Sequence, residues 1–198
     1  MAELQTDDPA AIERSISYLE SDPWEFRSGY LKGRLLHHLA NRSLDEGQRR
    51  RLRGVLLVHC DAGHRFEFDQ ACRLARRQDV PGLRHALAAR LSAPDPAVAV
   101  RSLRMLLSTR RPKLSPTERA LARHALVRWA GQVEPRMWSS RWVALTTERL
   151  WPVDAPDALQ ALTASDDPIE RFGARFLLTA LQQHRRRRSS RHGSSAMP

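Results

Sequence analysis

The sequence is poor in cysteine and has no long apolar run. Its two cysteines, Cys60 and Cys72, are too few for a disulfide framework, so we expect them to be thiols in a reducing compartment. The apolar stretches are short, as at 55–58, whereas a helix needs about 20 apolar residues to span a bilayer. The acidic start of the chain lacks the basic and apolar segments of a signal peptide. These absences predict a soluble, cytoplasmic protein.

Lysine is also scarce. Only Lys32 and Lys113 are lysines, and the rest of the 33 basic residues are arginines. This skew, together with abundant alanine and leucine, is typical of a GC-rich bacterial genome. A chain of 198 residues can bury roughly 70% of the surface that its unfolded form exposes, so its core needs neither disulfides nor metal. We expect a single domain over 1–184.

Motifs that carry chemistry are missing as well. The segment VHCDAGH holds His59, Cys60, Asp61 and His64, but their spacing matches no established zinc pattern. On a helix, the adjacent His59 and Cys60 point about 100° apart, so they cannot easily form a nucleophile and its base. There is no glycine loop for phosphates and no Gly-x-Ser-x-Gly turn. We expect no catalytic residue, no metal and no cofactor, and the sequence indicates no small-molecule substrate.

What the sequence does contain is a recurring Asp-Pro pair before runs of apolar residues. Aspartate at a helix N-cap accepts a hydrogen bond from a free backbone N–H, and proline suits the first turn because it has no N–H. A glutamate three residues after the cap can complete a capping box. Helix starts are therefore predicted at Asp8-Pro9, Asp22-Pro23, Asp95-Pro96 and Asp167-Pro168. Capping boxes are predicted at Asp22 with Glu25, Ser43 with Glu46, and Asp167 with Glu170.

Apolar residues after these starts recur every three or four positions, which is the spacing of one helix face. Two such stripes are Leu52, Val55, Leu56 and His59, and Ile169, Phe172, Gly173, Phe176 and Leu177. Glycines and prolines separate the segments, and Gly131 is expected to close one of them. The pattern predicts an all-α protein. The expected helices cover 8–20, 23–41, 44–60, 65–77, 80–92, 96–109, 116–130, 138–149, 155–164 and 168–184.

The Asp-Pro pairs are also evenly spaced. Asp95 follows Asp22 by 73 residues and Asp167 follows Asp95 by 72, which gives about 36 residues for each two-helix unit. The segments DPAVAVRSLRMLL from Asp95 and DDPIERFGARFLLTAL from Asp166 resemble the second helix of a HEAT repeat. The resemblance implies a HEAT-like right-handed α-solenoid of about five helical hairpins. It also implies a binding role, because HEAT-like proteins are mostly scaffolds.

Positive charge is concentrated in the middle of the chain and at its end. Residues 49–128 carry 17 Arg and one Lys against six acidic residues, a net charge of +12, and residues 185–198 add +5. If these arginines share one surface, it should attract nucleic acid, an acidic protein or an anionic surface. The alternative is that they only keep the exposed helix faces soluble. The candidate binding residues are Arg49, Arg50, Arg51, Arg53, Arg73, Arg76, Arg77, Arg101, Arg104, Arg185 and Arg186.

The last segment, 185–198, begins with four arginines and has no apolar periodicity. We expect it to be a disordered Arg-rich tail. Its arginines could bind phosphates or an acidic protein. Alternatively, Arg185 and Arg186 could form a solvated helix end that the helix dipole favours.

Four of the five tryptophans lie between Trp129 and Trp151. Trp138, Trp142 and Leu145 are spaced for one helix face, which favours an aromatic core patch. The alternative is a partner-binding surface or a platform for an extruded base. Some alkylation-repair DNA glycosylases are built from HEAT-like repeats with tryptophans in a basic groove, and this chain is similar to them in size, charge and tryptophan content.

Together these features predict a non-enzymatic binding scaffold that mediates protein–protein interaction through a basic central surface. The expected partner is a protein with an acidic surface, and no membrane is expected to be involved. One alternative is a nucleic-acid-binding helical-repeat protein, including a DNA glycosylase of the alkylation-repair type. Another is a small structural subunit of a larger assembly.

Overall fold

The computed structural model describes residues 8–23, 28–62, 65–110, 113–132, 140–152 and 154–193, without the side chains of 140 and 191–193. Its helices are α1 (Pro9–Ser21), α2 (Ser28–Ala40), α3 (Glu46–Asp61), α4 (Phe68–Arg77), α5 (Leu83–Ala89), α6 (Pro96–Ser108), α7 (Pro116–Gln132), α8 (Ser140–Leu150), α9 (Ala155–Leu162) and α10 (Pro168–Gly193). A short 3-10 helix, Arg90–Ser92, follows α5.

The all-α prediction is confirmed, since the described residues form helices and connecting turns without a strand. Each expected helix has a counterpart at nearly the expected place. None of the helices within the described ranges combines the length and the apolar character that crossing a membrane requires.

Three of the predicted Asp-Pro starts are confirmed as N-caps. The side chain of Asp8 accepts a hydrogen bond from the backbone N–H of Ala10 at 3.0 Å, and Asp95 accepts one from Ala97 at 2.8 Å. Asp167 likewise accepts from Ile169 at 2.8 Å. Each of these aspartates therefore satisfies one N–H of the first turn that would otherwise have no helical partner.

The fourth start is wrong. Asp22 is not an N-cap but the C-cap of α1, with a left-handed backbone at φ 44° and ψ 48°. Left-handed backbone is uncommon outside glycine, and aspartate is among the residues that tolerate it best. Its carboxylate is consequently available to side chains distant in sequence. Glu25, the expected partner in a capping box, lies outside the described residues.

The other two predicted capping boxes also need correction. Near Ser43 the box is formed by Asp45 and Gln48. The Asp45 carboxylate accepts a hydrogen bond from the backbone N–H of Gln48 at 2.8 Å, and the side-chain oxygen of Gln48 accepts one from the backbone N–H of Asp45 at 3.1 Å. Near Asp167, the Glu170 carboxylate accepts a hydrogen bond from the Ser165 hydroxyl at 3.0 Å, not from the backbone N–H of Asp167. In both cases a second polar residue close to the start competes for the capping role.

The described residues cluster into two compact units, Met1–Ser115 and Pro116–Pro198. In the first unit the odd-numbered helices contact one another in order, α1 with α3 and α3 with α5. The even-numbered helices do the same, α2 with α4 and α4 with α6. These two rows also pack against each other through α1 with α2, α3 with α4 and α5 with α6. The fully buried leucines of this unit include Leu36, Leu39, Leu52, Leu56, Leu74, Leu87, Leu103 and Leu106.

The second unit is organised around its last helix. Helices α7, α8 and α9 each pack against α10, and α8 also contacts both α7 and α9. Leu177 and Leu181 of α10 are almost completely buried, as is Trp129 of α7. Burying one such large apolar side chain contributes on the order of 1.5–3 kcal/mol, so α10 supplies much of the core of this unit.

Two glycines allow α7 and α10 to cross closely. A Cβ atom at Gly173 would lie 2.0 Å from the carbonyl oxygen of Val127, and one at Gly131 would lie 2.1 Å from that of Ile169. Gly131 is the next-to-last residue of α7, so the helix ends within two residues of the predicted end at 130. The predicted α10 stripe is wrong at Phe172, whose side chain is 60% exposed.

The predicted end of the last helix at 184 is too early, because α10 extends to Gly193. Side chains from Arg185 to Ser190 are exposed along this extension. Residues 194–198 lie outside the described residues. The expectations of a single domain over 1–184 and of a disordered tail over 185–198 stay predictions.

Candidate functional site: the arginines and a buried charge cluster

Arg51 of α3 is tied to α1. Its guanidinium donates to the carboxylate of Glu13 at 2.5 Å, to that of Glu20 at 2.6 and 3.0 Å, and to the Ser17 hydroxyl at 3.2 Å. The hydrogen bonds from Arg51 lower the pKa of Glu20, and a hydrogen bond from Gln48 followed by that from Arg51 lowers the pKa of Glu13. Arg51 therefore joins two helices of the odd row and is less available to a partner than the sequence suggested.

The other α3 arginines face solvent more openly. Arg50 pairs with Glu46 one turn earlier, and both side chains are largely exposed. Arg53 is exposed, and its guanidinium lies against Gly82, where an added Cβ would come within 2.8 Å of Nη1. Arg49 is half-buried, and its Nε has no hydrogen-bond partner within the described part of the chain. Arg50 and Arg53 are thus the solvent-facing arginines of α3.

Two arginines of α6 have structural contacts. Arg104 donates to Asp69 at 2.5 Å, and its guanidinium lies 5.6 Å from the centre of the Phe68 ring. The Nε of Arg101 donates to the backbone carbonyl of Cys60 at 2.7 Å, and partial burial lowers the pKa of its guanidinium. Both side chains fasten α6 to neighbouring segments of the first unit.

The α4 arginines differ in exposure. Arg76 and Arg77 are exposed, whereas Arg73 is half-buried, and its Nε has no hydrogen-bond partner among the described residues. Because α3 belongs to the odd row and α4 to the even row, their arginines belong to different layers of helices. The exposed arginines of the first unit therefore lie on both rows, with Arg50 and Arg53 on α3 and Arg76 and Arg77 on α4.

The α10 arginines belong to the other unit. Arg185 lies 3.5 Å from the carboxylate of Glu148 on α8, while Arg186 is exposed. That all these arginines form a binding surface remains a prediction. Their positions divide them into structural residues and residues that a partner can reach.

The structure also brings together a buried charge cluster that sequence reasoning missed. Asp22 accepts two hydrogen bonds from Arg65, at 2.6 and 2.8 Å, and one from the Lys32 ammonium at 2.7 Å. The Lys32 side chain is only 1% exposed and that of Arg65 only 11%. These bonds, those from Arg65 above all, lower the pKa of Asp22 from 3.8 to about 2 against the opposing effect of burial.

Two further buried groups lie beside these charges. The Glu67 carboxylate is 3.9 Å from the Arg65 guanidinium and 3.7 Å from Nε2 of His59. The imidazole Nδ1 of His59 is 2.8 Å from the carbonyl oxygen of Val55, a spacing at which Nδ1–H donates to that carbonyl. Burial lowers the pKa of His59, so the ring is neutral at neutral pH. The cluster joins the end of α1, helices α2 and α3, and the segment before α4.

Two signals in the sequence could have pointed to this cluster. Lys32 lies four residues before Leu36 and seven before Leu39, so it falls on the buried stripe of α2. A lysine on such a stripe requires a buried carboxylate as partner. Because Asp22 was expected to cap a helix, the sequence did not identify it as the partner of Lys32. In the structure this role falls to Asp22, which accepts hydrogen bonds from both Lys32 and Arg65.

Cys60 of the VHCDAGH segment and Cys72 are both buried free thiols. Burial raises the pKa of the Cys60 thiol to about 12, and that of Cys72 also to about 12, so both remain protonated at neutral pH. The described ranges contain no group of three or more side chains able to hold a metal ion. His64 lies outside them.

The tryptophans of the second unit are mostly part of its core. Trp129 and Trp151 are 1% and 6% exposed. Arg123 lies 5.2 Å from the ring centre of Trp151 and donates to the carbonyl of Leu150 at 2.7 Å. Trp142 is half-buried, and Trp138 lies outside the described residues. Leu145, expected on the same buried face as Trp142, is 43% exposed.

Comparisons with models of protein families, with characterised proteins and with solved structures found no match for this chain.

Proposed function

We propose that the protein is a binding scaffold whose first unit is a stack of HEAT-like hairpins in a right-handed α-solenoid, and that it binds an acidic protein surface through the arginines of α3. The helix packing of the first unit supports this proposal. Two rows of helices, each contacting its successor, are what stacked two-helix repeats produce.

The arginines that structural contacts leave exposed support the binding role. Arg50 and Arg53 are exposed on α3, whereas Leu52, Val55 and Leu56 of the same helix are buried. Arginine is favoured where a carboxylate must be bound, because its guanidinium offers a planar pair of donors. The carboxylates of an acidic partner would therefore form paired, charge-assisted hydrogen bonds with these two arginines.

Binding to labelled poly-glutamate, measured by fluorescence anisotropy at several salt concentrations, tests the proposal. We expect Arg53→Glu to weaken binding about tenfold, because the substitution places a like charge opposite the ligand. Arg175→Glu on α10 makes the same change of charge at an exposed site and serves as the matched control. If both variants lost the same amount of affinity, binding would depend on net charge alone, and the proposed binding surface on α3 would be wrong.

Nucleic-acid binding is a second candidate, favoured by the exposed arginines at 185–188 of α10. Duplex and single-stranded DNA in the same assay separate the two candidates. Affinity for DNA that exceeds affinity for poly-glutamate and falls steeply with salt would favour nucleic acid. Release of modified bases from DNA would establish a glycosylase.

A further inference from the structure

An open cleft of about 450 Å³ lies between α8 and α10 in the second unit. From α8 it is lined by Arg141 and Leu145, which are four residues apart and so share one face of that helix. From α10 it is lined by Ala180, Gln183, His184, Arg187 and Arg188, which recur every three to four residues. Two helix faces thus converge on one space, and the volume is within the usual range for ligand sites.

The ionisable residues that line this cleft are all basic. The lining contains three arginines, one histidine and one glutamine, and its apolar part is formed by Leu145 and Ala180. No acidic side chain is among these lining residues. Within the described part of the chain, no carboxylate pairs with Arg141, Arg187 or Arg188, whereas Glu148 pairs with the neighbouring Arg185.

A cavity of the first unit provides a contrast. It measures about 300 Å³ and lies beside the turn between α4 and α5, and two arginines line it. There the Arg84 guanidinium donates to the carbonyl of Lys113 at 2.8 Å, and that of Arg110 donates to the carbonyl of Arg77 at 2.6 Å. Backbone carbonyls thus already bind the donors of that cavity, while those of the α8–α10 cleft remain open to solvent.

We propose that the cleft between α8 and α10 binds phosphate groups, with Arg141, Arg187 and Arg188 as the main donors. Guanidinium groups bind phosphate through paired, charge-assisted hydrogen bonds, and the glutamine amide and the imidazole can add further donors. Three like charges around one space repel one another, and a dianionic group between them removes that repulsion. This inference does not depend on the scaffold function of the first unit.

Titration calorimetry with sodium pyrophosphate at constant ionic strength tests the site. The proposal requires saturable binding of one pyrophosphate per chain, weakened about tenfold by Arg141→Ala, as the loss of a charge-assisted hydrogen bond predicts. Arg186→Ala removes an exposed charge one residue away from Arg187 without touching the cleft lining, so its effect should be less than about twofold. A melting curve for each variant shows whether it is folded.

The outcomes separate a built site from general charge attraction. Equal weakening by Arg141→Ala and Arg186→Ala would overturn the proposal, and so would the absence of saturable binding to the folded protein. Arg141→Lys keeps the charge but loses the fork of donors, so it should recover only part of the affinity. A short single-stranded oligonucleotide then identifies the source of the phosphate. Competition with pyrophosphate indicates a nucleic-acid strand, and its absence indicates a small phosphorylated ligand.

Discussion

Replacing Gly173 by alanine tests the close crossing of α7 and α10. Helix propensity alone favours this change, because alanine in a helix interior is more stable than glycine by about 0.5–1 kcal/mol. The structure predicts the opposite, since the new Cβ would lie 2.0 Å from the carbonyl oxygen of Val127 and 3.0 Å from the backbone nitrogen of Gly131. Real Cβ atoms essentially never come within 3.0 Å of a neighbour, so backbone must move.

The expected magnitude follows from these two effects. Relieving the contact requires α7 and α10 to separate by about 1 Å locally, and such overpacking costs on the order of 1–3 kcal/mol or more. Because a contact of 2.0 Å with backbone calls for the upper end of this range, we expect a net destabilisation of about 2 kcal/mol after the gain in helix propensity. For a chain of this length, that corresponds to a Tm lower by roughly 4–8 °C.

Thermal unfolding followed by circular dichroism measures the effect, and Gly54→Ala is its control. Gly54 lies within α3, and an added Cβ there would meet no atom within 4 Å. This control should therefore be stabilised by about 0.5–1 kcal/mol. If Gly173→Ala raised the Tm as Gly54→Ala does, the two helices could not cross as closely as the structure has them.

Three further predictions concern titratable groups of the first unit. Asp22→Asn should cost about 3 kcal/mol in urea unfolding because it leaves Lys32 buried without a carboxylate, whereas Asp61→Asn, which breaks an exposed pair, should cost less than about 1 kcal/mol. A similar loss in both would contradict the buried cluster. The pKa of Asp22 is lowered from 3.8 to about 2, so the stability that it adds is present above pH 4 and is lost as the pH falls toward 2. Arg51→Ala should cost only about 0.5–1 kcal/mol, since this partly exposed side chain is screened by solvent. The pKa of His59 is lowered from 6.5 by burial, so the unfolded chain binds a proton first and stability falls as the pH drops below 6.5. His59→Gln should remove that part of the pH dependence, and an unchanged profile would show that other groups cause it.

The helices were predictable because their signals are local. The stripe from Leu52 to His59 is completely buried, and α6 begins at Pro96 with Asp95 as its cap, as expected. A capping residue acts within three positions, and the apolar period repeats every turn, so both can be read within a short window. The errors at Asp22 and near Ser43 arose where a neighbouring polar residue or a distant cation changed the outcome.

The candidate sites were predictable only as residue types. The abundance of arginine in 49–128 was plain from the sequence, but not that Arg51 bonds to α1 or that Arg101 bonds to the carbonyl of Cys60. Those partners lie about 40 positions away, and no periodic pattern connects them. The cleft between α8 and α10 likewise depends on two segments whose packing the sequence does not specify.

The sequence by itself determined that this chain is helical, how many helices the described residues form, and close to where most of them begin and end. Only the tertiary structure decided which charges are buried together, where α7 and α10 approach closely, and which arginines stay open to solvent. The physical reason is the separation along the chain over which each kind of interaction acts. Helix formation depends on hydrogen bonds and apolar contacts between residues three or four positions apart. Burial of Lys32 beside Asp22, or of Gly173 against Val127, depends on how whole helices pack.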